Sequence, residues 1–471
     1  MLIGREEEIK LLQEAYDSAE SEFVAIYGRR RIGKTYLVRE TLQDKFTFSH
    51  SGVAKLPARK QLHAFYNSLV EQGYKPSQMP TNWLDAFHYL SMCLAERSEP
   101  KKVIFLDELP WMDTHKSDFL PAFEHFWNNW ASARKDILLI VCGSATSWII
   151  NKIVNNHGGL HDRLSYSIKL NPFSLSECKK YAESMEVKMS QQQIVEAYMV
   201  FGGVPYYWSK LNKKFSLAQN IDRMFFVENA IFENEFDNLY SSLFRKPEPY
   251  IKLIAALGKK KIGMTREELS SHTGIAQNGN MSKYLSELTA CGFIHSYTPY
   301  GKQSKYSVYQ LIDNYTLFYY RFLASKKIKE ENYWIKSQNT TTYHNWCGLA
   351  FERVCLLHIR QIKKALGISN VISNEYSWRT PPYADLPGVE IDLLIDRADK
   401  AFNLCEMKYT TGKFTIDKKY SEVLRNKVQR LYDVTKTRNS VFLTIISANG
   451  LTANAYANDI AYTLTSDDLF D

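Results

Sequence analysis

Phe23-Val24-Ala25-Ile26-Tyr27-Gly28-Arg29-Arg30-Arg31-Ile32-Gly33-Lys34-Thr35 is the stretch that decides the fold. A short apolar β-type run ends at a glycine. Residues Gly28 to Thr35 then fit G-x-x-x-x-G-K-[ST], and a helical pattern follows over Thr35–Leu42. The glycines let the backbone wrap a phosphate with its N–H groups turned inward. The start of the following helix adds the positive end of its dipole. Lys34 is then placed to reach the β- and γ-phosphates of a nucleotide, and Thr35 to hold Mg²⁺. Gly28, Arg29, Arg30, Arg31, Ile32 and Gly33 are the remaining candidate contacts. The ligands this predicts are ATP and Mg²⁺.

Working outward, Lys102-Val103-Ile104-Phe105-Leu106-Asp107-Glu108 is an apolar strand ending in two acids. At the end of a strand downstream of such a loop, Asp107 is a candidate to order Mg²⁺. Glu108 is a candidate general base for the attacking water. Further buried strands are predicted at Phe46–His50, Ile137–Cys142 and Leu164–Leu170. Helical periodicity falls near 58–72, 83–97 and 119–132. Buried strands separated by helices predict a parallel α/β sheet.

Composition sets the outer bounds. The chain has 471 residues, 45% hydrophobic and 23% charged, as in a soluble globular protein rather than a disordered, collagen-like or disulfide-scaffold chain. That length suggests about three domains. Seven cysteines, an odd number, include no C-x-x-C pair. They read as buried free thiols in a reducing cytoplasm, not as a zinc site. The acidic start Glu6-Glu7-Glu8 is unlike a signal peptide. The longest apolar stretch, from Ile137, is too short to span a bilayer, so no membrane partner is expected. The net charge is +8, which admits a polyanionic partner without requiring one.

That charge is concentrated. Residues 244–330 hold 14 Lys/Arg against 6 Asp/Glu. Within them, Thr265-Arg266-Glu267-Glu268 opens a helix with a capping-box pattern. A turn at Gly274, a helix over Asn280–Cys291 and a hairpin from Gly292 follow. Helix, turn, helix, hairpin reads as a winged helix. Lys302 and Lys305 on the wing, and Lys259-Lys260-Lys261, could contact phosphates. Lys283 is offset by Glu287, which at i,i+4 can simply pair with it. Contact with DNA and structural packing both stay open for this segment.

Two carboxylates on a later hairpin complete the inventory. Asp392 lies on the strand Gly388–Ile395, and Glu406 and Lys408 on the strand Ala401–Lys408. Residues two apart on a strand share a face, so Glu406 and Lys408 point the same way, towards Asp392 if the strands pair. With Glu352 on a nearby helix, such a set can hold Mg²⁺ or Mn²⁺ while the lysine positions a water. Tyr409 and Tyr420 read as packing residues.

Two resemblances gather these readings. Ile3-Gly4-Arg5-Glu6-Glu7-Glu8, the Gly28–Thr35 loop, Leu106-Asp107-Glu108-Leu109-Pro110-Trp111 and Phe201-Gly202-Gly203-Val204-Pro205 resemble the archaeal-type ATPases, AAA+/STAND-related P-loop proteins. This resemblance covers residues 1 to about 240. It implies that Gly4 and Arg5 lie beside the adenine and that Ser144 is a polar sensor near the γ-phosphate. It implies a nucleotide-sensing role for Arg163, and it places the Gly-Gly-Val-Pro turn in a helical lid. Read from the residues alone, Ser144 could equally be a helix N-cap and Arg163 a surface ion pair. The second resemblance, over about 340–440, is to the PD-(D/E)XK nuclease core, with Glu352, Asp392, Glu406 and Lys408 as its motif.

The chain is therefore expected to be an α/β protein. It comprises a P-loop ATPase core over 1–175, a helical lid over 176–240, a winged helix over 241–330 and a mixed α/β nuclease-like domain over 331–471. The expected function is ATP binding and hydrolysis with action on nucleic acid, DNA favoured, and a metal-dependent nuclease domain. The alternative is a STAND-like ATP-dependent switch whose nuclease-like fold only binds.

Overall fold

The computed structural model describes residues 2–470 apart from 75, 77, 157, 245, 302, 304, 305, 325–329, 381 and 383–387. The chain forms two compact units, residues 1–172 and 173–471.

The first unit is built on strands β1 (Glu22–Tyr27), β2 (Phe46–Ser51), β3 (Lys102–Asp107), β4 (Ile137–Gly143) and β5 (Tyr166–Lys169). They form one sheet in the order β2-β3-β4-β1-β5, and every neighbouring pair is parallel. Parallel strands need covered faces, which is why these strands read as continuous apolar runs. Alternate side chains go to opposite cores. Phe23, Ile104, Leu106, Leu139 and Val141 join one core with residues of α3 (Ala58–Glu71), α4 (Trp83–Ala95) and α5 (Phe119–Phe126). Val24, Ile26, Val103, Phe105 and Ile140 join the other, with Leu12 of α1 (Glu6–Asp17) and Leu37 of α2 (Lys34–Leu42). The helix expected over 119–132 is regular only to Phe126 and widens into a π turn over Trp127–Ala131. Trp127 lies 4.9 Å from the Phe23 ring in the core. The last strand is shorter than the expected Leu164–Leu170.

The second unit starts with helices. Its entry is fixed by glycine: the Gly203 carbonyl accepts from the Phe173 N–H at 2.6 Å. A Cβ on Gly203 would lie 1.9 Å from the Phe173 carbonyl oxygen, so no other residue fits there. Strands β6 (Met264–Thr265), β7 (Ile294–Tyr297) and β8 (Val308–Leu311) form an antiparallel sheet, order β6-β8-β7. Helices Arg266–Thr273 and Gly279–Ala290 lie between β6 and β7 in the chain. The expected capping box is present, formed by Thr265 and Glu268. The second helix buries Met281, Leu285 and Leu288, as its periodicity predicts.

The chain then builds β9 (Ser373–Thr380), β10 (Val389–Arg397), β11 (Ala401–Lys408), β12 (Ser440–Ser447) and β13 (Tyr462–Leu464). Their order is β13-β12-β11-β10-β9. The first three are antiparallel and the last three parallel. Cys405 and Met407 face a core that includes Phe351 and Cys355 of helix Thr341–Leu357. Leu404 and Ile445 face Leu424 and Leu431 of helix Lys418–Thr435. The first of these cores is continuous from Phe173 to Phe470. The segments that the sequence divides at 240 and 330 thus share apolar packing. All seven cysteines are free and buried. Among the described residues, no helix is long and apolar enough to cross a membrane.

One buried histidine ties this unit together. His358 accepts from the Leu175 N–H on Nε2 at 3.0 Å, which leaves Nδ1 to donate to the Val354 carbonyl at 2.7 Å. Burial pushes its pKa down to about 4. The unfolded chain therefore takes up the proton first, near the ordinary pKa of about 6.5, and stability falls as pH drops from there towards 4. We predict that His358→Gln removes about 2 kcal/mol of the stability lost between pH 7.5 and 5. Urea denaturation of both proteins at the two pH values checks this, and parallel pH profiles would refute it.

Candidate functional site

The expected phosphate loop sits at the carboxyl end of the parallel sheet. Gly28 has φ 143°, and a Cβ there would fall 2.3 Å from the Leu170 carbonyl oxygen. Gly33 has φ 89° and caps the start of α2. Arg31 between them is also left-handed, φ 71°, a conformation that is uncommon outside glycine and signals an imposed backbone path. Ile32 is buried in the core, so only its backbone is available to an anion. Lys34 folds back over the loop, its Nζ donating to the Gly28 and Arg29 carbonyls, both at 2.9 Å. Arg29 is buried and Arg30 half-buried.

Asp107 joins three elements. Its Oδ2 accepts from Thr35 Oγ1 at 2.8 Å. Its Oδ1 accepts from the Glu108 N–H at 2.8 Å and from Cys142 Sγ at 2.6 Å. Burial and the Asp107 charge raise the Cys142 pKa well above the usual thiol range, so Cys142 stays a donor. Glu108 is left-handed, φ 47°. Its Oε2 accepts from both the N–H and the hydroxyl of Ser144, at 3.2 and 2.9 Å. The helix after Ser144 is capped at Ala145 without a side-chain bond. The hydroxyl therefore serves Glu108 and is not an N-cap. Two glycines permit this close approach. A Cβ on Gly52 would lie 2.6 Å from the Glu108 carbonyl oxygen, and one on Gly143 would lie 2.5 Å from Pro110 Cδ.

Arg5 is buried and donates to the Asn171 carbonyl at 2.6 Å, with Glu8 at 3.6 Å. Gly4 precedes it with φ 65°. Arg163 is exposed on the turn before β5, and among the described residues no hydrogen bond or ion pair joins it to the loop. Thr35, Asp107, Glu108 and Ser144 are thus assembled, and Arg163 is not. Cys142 was missed, because an apolar strand context gives no sign that its thiol meets a carboxylate.

The second set of expected residues is differently arranged. The two strands pair antiparallel, as predicted, and Asp392 Oδ2 accepts from the Met407 N–H at 3.0 Å. Glu406 and Lys408 share a face, but it is the face covered by helix Lys418–Thr435. Glu406 is only 1% exposed. Its carboxylate accepts from Lys427 Nζ at 2.5 Å and Tyr420 OH at 3.2 Å, with Lys408 Nζ at 3.7 Å. Glu352 stands on helix Thr341–Leu357, which packs on the opposite face. It pairs with Lys261 at 2.7 Å and Arg353 at 3.9 Å. Burial and the Asp392 charge push Glu352 up to about 7, and burial also raises Glu406. Among the described residues, no group of three or more His, Cys, Asp or Glu side chains is gathered to hold a metal ion. The expected Mg²⁺ or Mn²⁺ set therefore does not fit as it stands: Glu352 and Glu406 face different lysines.

Several surface expectations change with it. Tyr420 and Tyr409 are hydrogen-bond donors as well as packing residues; Tyr409 OH donates to Glu196 at 3.1 Å. Lys260 pairs with Glu268 and Lys261 with Glu352, so two of the three consecutive lysines are engaged internally. Glu287 accepts from Tyr250 and does not serve as the expected partner of Lys283. Lys302 and Lys305 lie outside the described residues. Tyr300, at the base of the hairpin tip, packs edge-on against Tyr376 and Phe402 at 5.3 and 5.4 Å. Part of the hairpin is thus turned onto the C-terminal sheet.

Comparison with known proteins bears on the first site. Residues 2–211 match the family model described as an ATPase domain predominantly from Archaea. An uncharacterized protein of Methanocaldococcus jannaschii, MJECL04, is 27% identical over 373 residues, 77% of this chain and 78% of that one. A second protein of that organism, the uncharacterized ATP-binding protein MJ0423, is 36% identical over 45 residues, 10% of this chain and 76% of its own. Among solved structures, the Walker-type ATPase PABY2304 of Pyrococcus abyssi aligns with TM-score 0.50 at 15% identity. It covers 68% of this chain and 96% of its own. Residues 2–211 are thus similar to an archaeal-type ATPase domain, and the parallel five-stranded α/β sheet has a fold like that of the Walker-type ATPase structure.

The buried Glu406–Lys427 pair yields a stability test. Lys427→Met leaves a buried carboxylate short of its main cation, which costs about 3–5 kcal/mol. The double variant Glu406→Gln/Lys427→Met should recover most of that loss in urea melts. A single-variant loss under about 1 kcal/mol would mean that the pair is screened like a surface bridge.

Proposed function

We propose that the chain binds and hydrolyses ATP at the Gly28–Thr35 loop and couples that cycle to a C-terminal nuclease-like fold that engages nucleic acid. The observation that carries the ATPase part is the Thr35–Asp107–Glu108–Ser144 array. A hydroxyl and a carboxylate 2.8 Å apart are hard oxygen donors suited to Mg²⁺. Thr35 and Asp107 would hold that ion, which supplies charge neutralisation across the β- and γ-phosphate oxygens. The backbone N–H groups from Arg29 to Thr35 cradle the phosphates. Lys34 exchanges its two carbonyl partners for phosphate oxygens. Gly4 and Arg5 border the base, and Arg30 and Arg31 add positive charge at the loop. Glu108 orients the attacking water and accepts its proton. Ser144 holds Glu108 until the γ-phosphate offers the hydroxyl a better acceptor. Arg163 would have to move in to serve as a sensor.

In this reading, 176–240 is a helical lid, 241–330 a winged helix and 331–471 a PD-(D/E)XK-like domain. The β9–β13 sheet with its two flanking helices supports the last assignment, and the β6–β8 sheet with its helix pair supports the winged helix. Glu352, Asp392, Glu406 and Lys408 are the nuclease-like residues. Because Glu352 and Glu406 are each held by a lysine, the reading favoured is an ATP-dependent switch that binds nucleic acid, DNA in preference, without cutting it in this arrangement.

Lys34→Ala should abolish ATP binding in a fluorescent-nucleotide titration. Glu108→Gln should bind ATP but hydrolyse it at least ~100-fold more slowly. Unchanged affinity in the first variant, or wild-type turnover in the second, would move the site or the base elsewhere. For the C-terminal fold, wild type and Asp392→Ala are incubated with single- and double-stranded DNA and RNA in Mg²⁺ or Mn²⁺, with and without ATP. The expected result is binding without cleavage, with log K falling by about 0.9 per phosphate neutralised as log salt rises. Cleavage by wild type alone would establish an active nuclease instead. Salt-insensitive or absent binding would remove nucleic acid as the partner.

A further inference from the structure

The thiol of Cys142 is a donor to Asp107 that neither the Gly28–Thr35 loop nor the Asp107-Glu108 turn supplies. Cys142 is the last residue but one of β4 and is fully buried. β4 runs parallel to β3 and to β1, with Val141 beside Leu106 and Cys142 beside Ile26. That register brings Cys142 level with Asp107. Gly143 fixes the strand end. A Cβ there would lie 2.5 Å from Pro110 Cδ, so β4 closes on the turn after Glu108 only because this position lacks a side chain. The thiol is thereby held 2.6 Å from Asp107 Oδ1. The two carboxylate oxygens are consequently unequal. Each oxygen of an ionised carboxylate offers two lone pairs. On Oδ1 both are engaged, by the Glu108 N–H and by Cys142. On Oδ2 one is engaged, by the Thr35 hydroxyl. The single lone pair left over is therefore on the oxygen that meets Thr35.

We propose that Cys142 is a positioning residue that sets the ion preference of the nucleotide site: by closing Oδ1 it makes Asp107 a one-oxygen acceptor, suited to Mg²⁺ and not to Ca²⁺. The proposal rests on the reading of the Gly28–Thr35 loop as an ATP site. Mg²⁺ demands a near-ideal octahedron of oxygens and keeps several of its waters. Ca²⁺ takes about 6–8 oxygens and accepts carboxylates through both of theirs. One lone pair on Oδ2 can serve Mg²⁺ or a water bound to it. It cannot give a larger ion two oxygens at once. Without the thiol, Oδ1 keeps only the Glu108 N–H, and a second lone pair opens beside the first. A hydroxyl at position 142 would close it again. Cys142 thus acts through Asp107 alone.

The test measures binding, not turnover. Full-length wild type, Cys142→Val, Cys142→Ala and Cys142→Ser are titrated with a fluorescent, non-hydrolysable ATP analogue. Each titration is run in EDTA, in saturating Mg²⁺ and in saturating Ca²⁺. Valine fills the space of the thiol without a donor, alanine gives a second route to the same loss, and melting temperatures confirm that each variant is folded. In wild type, Mg²⁺ should tighten binding more than Ca²⁺ does. The ratio of the two affinities should fall by about tenfold in both donor-free variants, and Cys142→Ser should hold the wild-type ratio. A ratio that stays unchanged in both donor-free variants, or an affinity lost equally in all three conditions, would mean that the thiol only packs. Either result overturns the proposal and leaves the ATP-site reading in place, as would a wild type that treats the two ions alike. If neither ion tightens binding to wild type, the metal-dependent ATP site falls, and the proposal with it.

Discussion

A buried carboxylate at the end of a central strand organises the first unit. Asp107 takes a hydroxyl from the helix after β1, an N–H from its own turn and a thiol from β4. Each donor comes from a different element, so the ends of β1, β3 and β4 must come into line for all three bonds to form. A parallel sheet in the order β2-β3-β4-β1-β5 does this. It places β4 between β3 and β1, and the loops that follow those three strands open on one edge, where ligands of open α/β sheets bind. The charge of Asp107 costs little there because three donors replace its water. On the proposed reading, the same oxygens later serve a cation, so one residue both aligns the strand ends and equips the site.

The second unit solves a different problem. Its three-stranded sheet is small and could not bury a core of its own without neighbours. One core from Phe173 to Phe470 supplies that burial. Polar anchors then set the register of the parts. His358 links the end of helix Thr341–Leu357 to the start of helix Leu175–Ser184, and Arg353 on the same helix clamps the loop before β6. A fully buried guanidinium is tolerable because backbone carbonyls accept its N–H groups and Glu352 lies alongside. These anchors make that helix the common support of the helical segment, the three-stranded sheet and the C-terminal sheet.

What could be read from the sequence was what depends on local pattern. The Gly28–Thr35 loop, the Asp107-Glu108 strand end, the Thr265–Glu268 capping box and the pairing of the Asp392 and Glu406 strands all repeat a short rule of spacing or alternation. What escaped depends on approach in space. Lys427 meets Glu406 across 21 positions and Cys142 meets Asp107 across 35, and neither spacing carries a signature. Alternation did place Glu406 and Lys408 on one face. It could not say which helix covers that face, and that choice separates Glu406 from Glu352. The π turn at Trp127 was missed for a related reason: its periodicity starts as an ordinary helix and changes only at its end.

The same distinction governs the charge of the basic segment. Composition counts each lysine of 244–330 as an equal contribution to a positive surface. The fold divides them. Lys260 and Lys261 are paired with carboxylates, and Arg266 donates to Ser282 and the Asn278 carbonyl. Lys246, Lys252, Lys259 and Lys283 are exposed. A cation already paired inside the protein has no counterions to release, so it adds little to attraction for a polyanion. The segment's net charge therefore overstates the phosphates it can neutralise. Its paired members act instead on neighbouring acids, and that is how a stretch that looks like a nucleic-acid surface in composition becomes, at Lys261, a contact with Glu352.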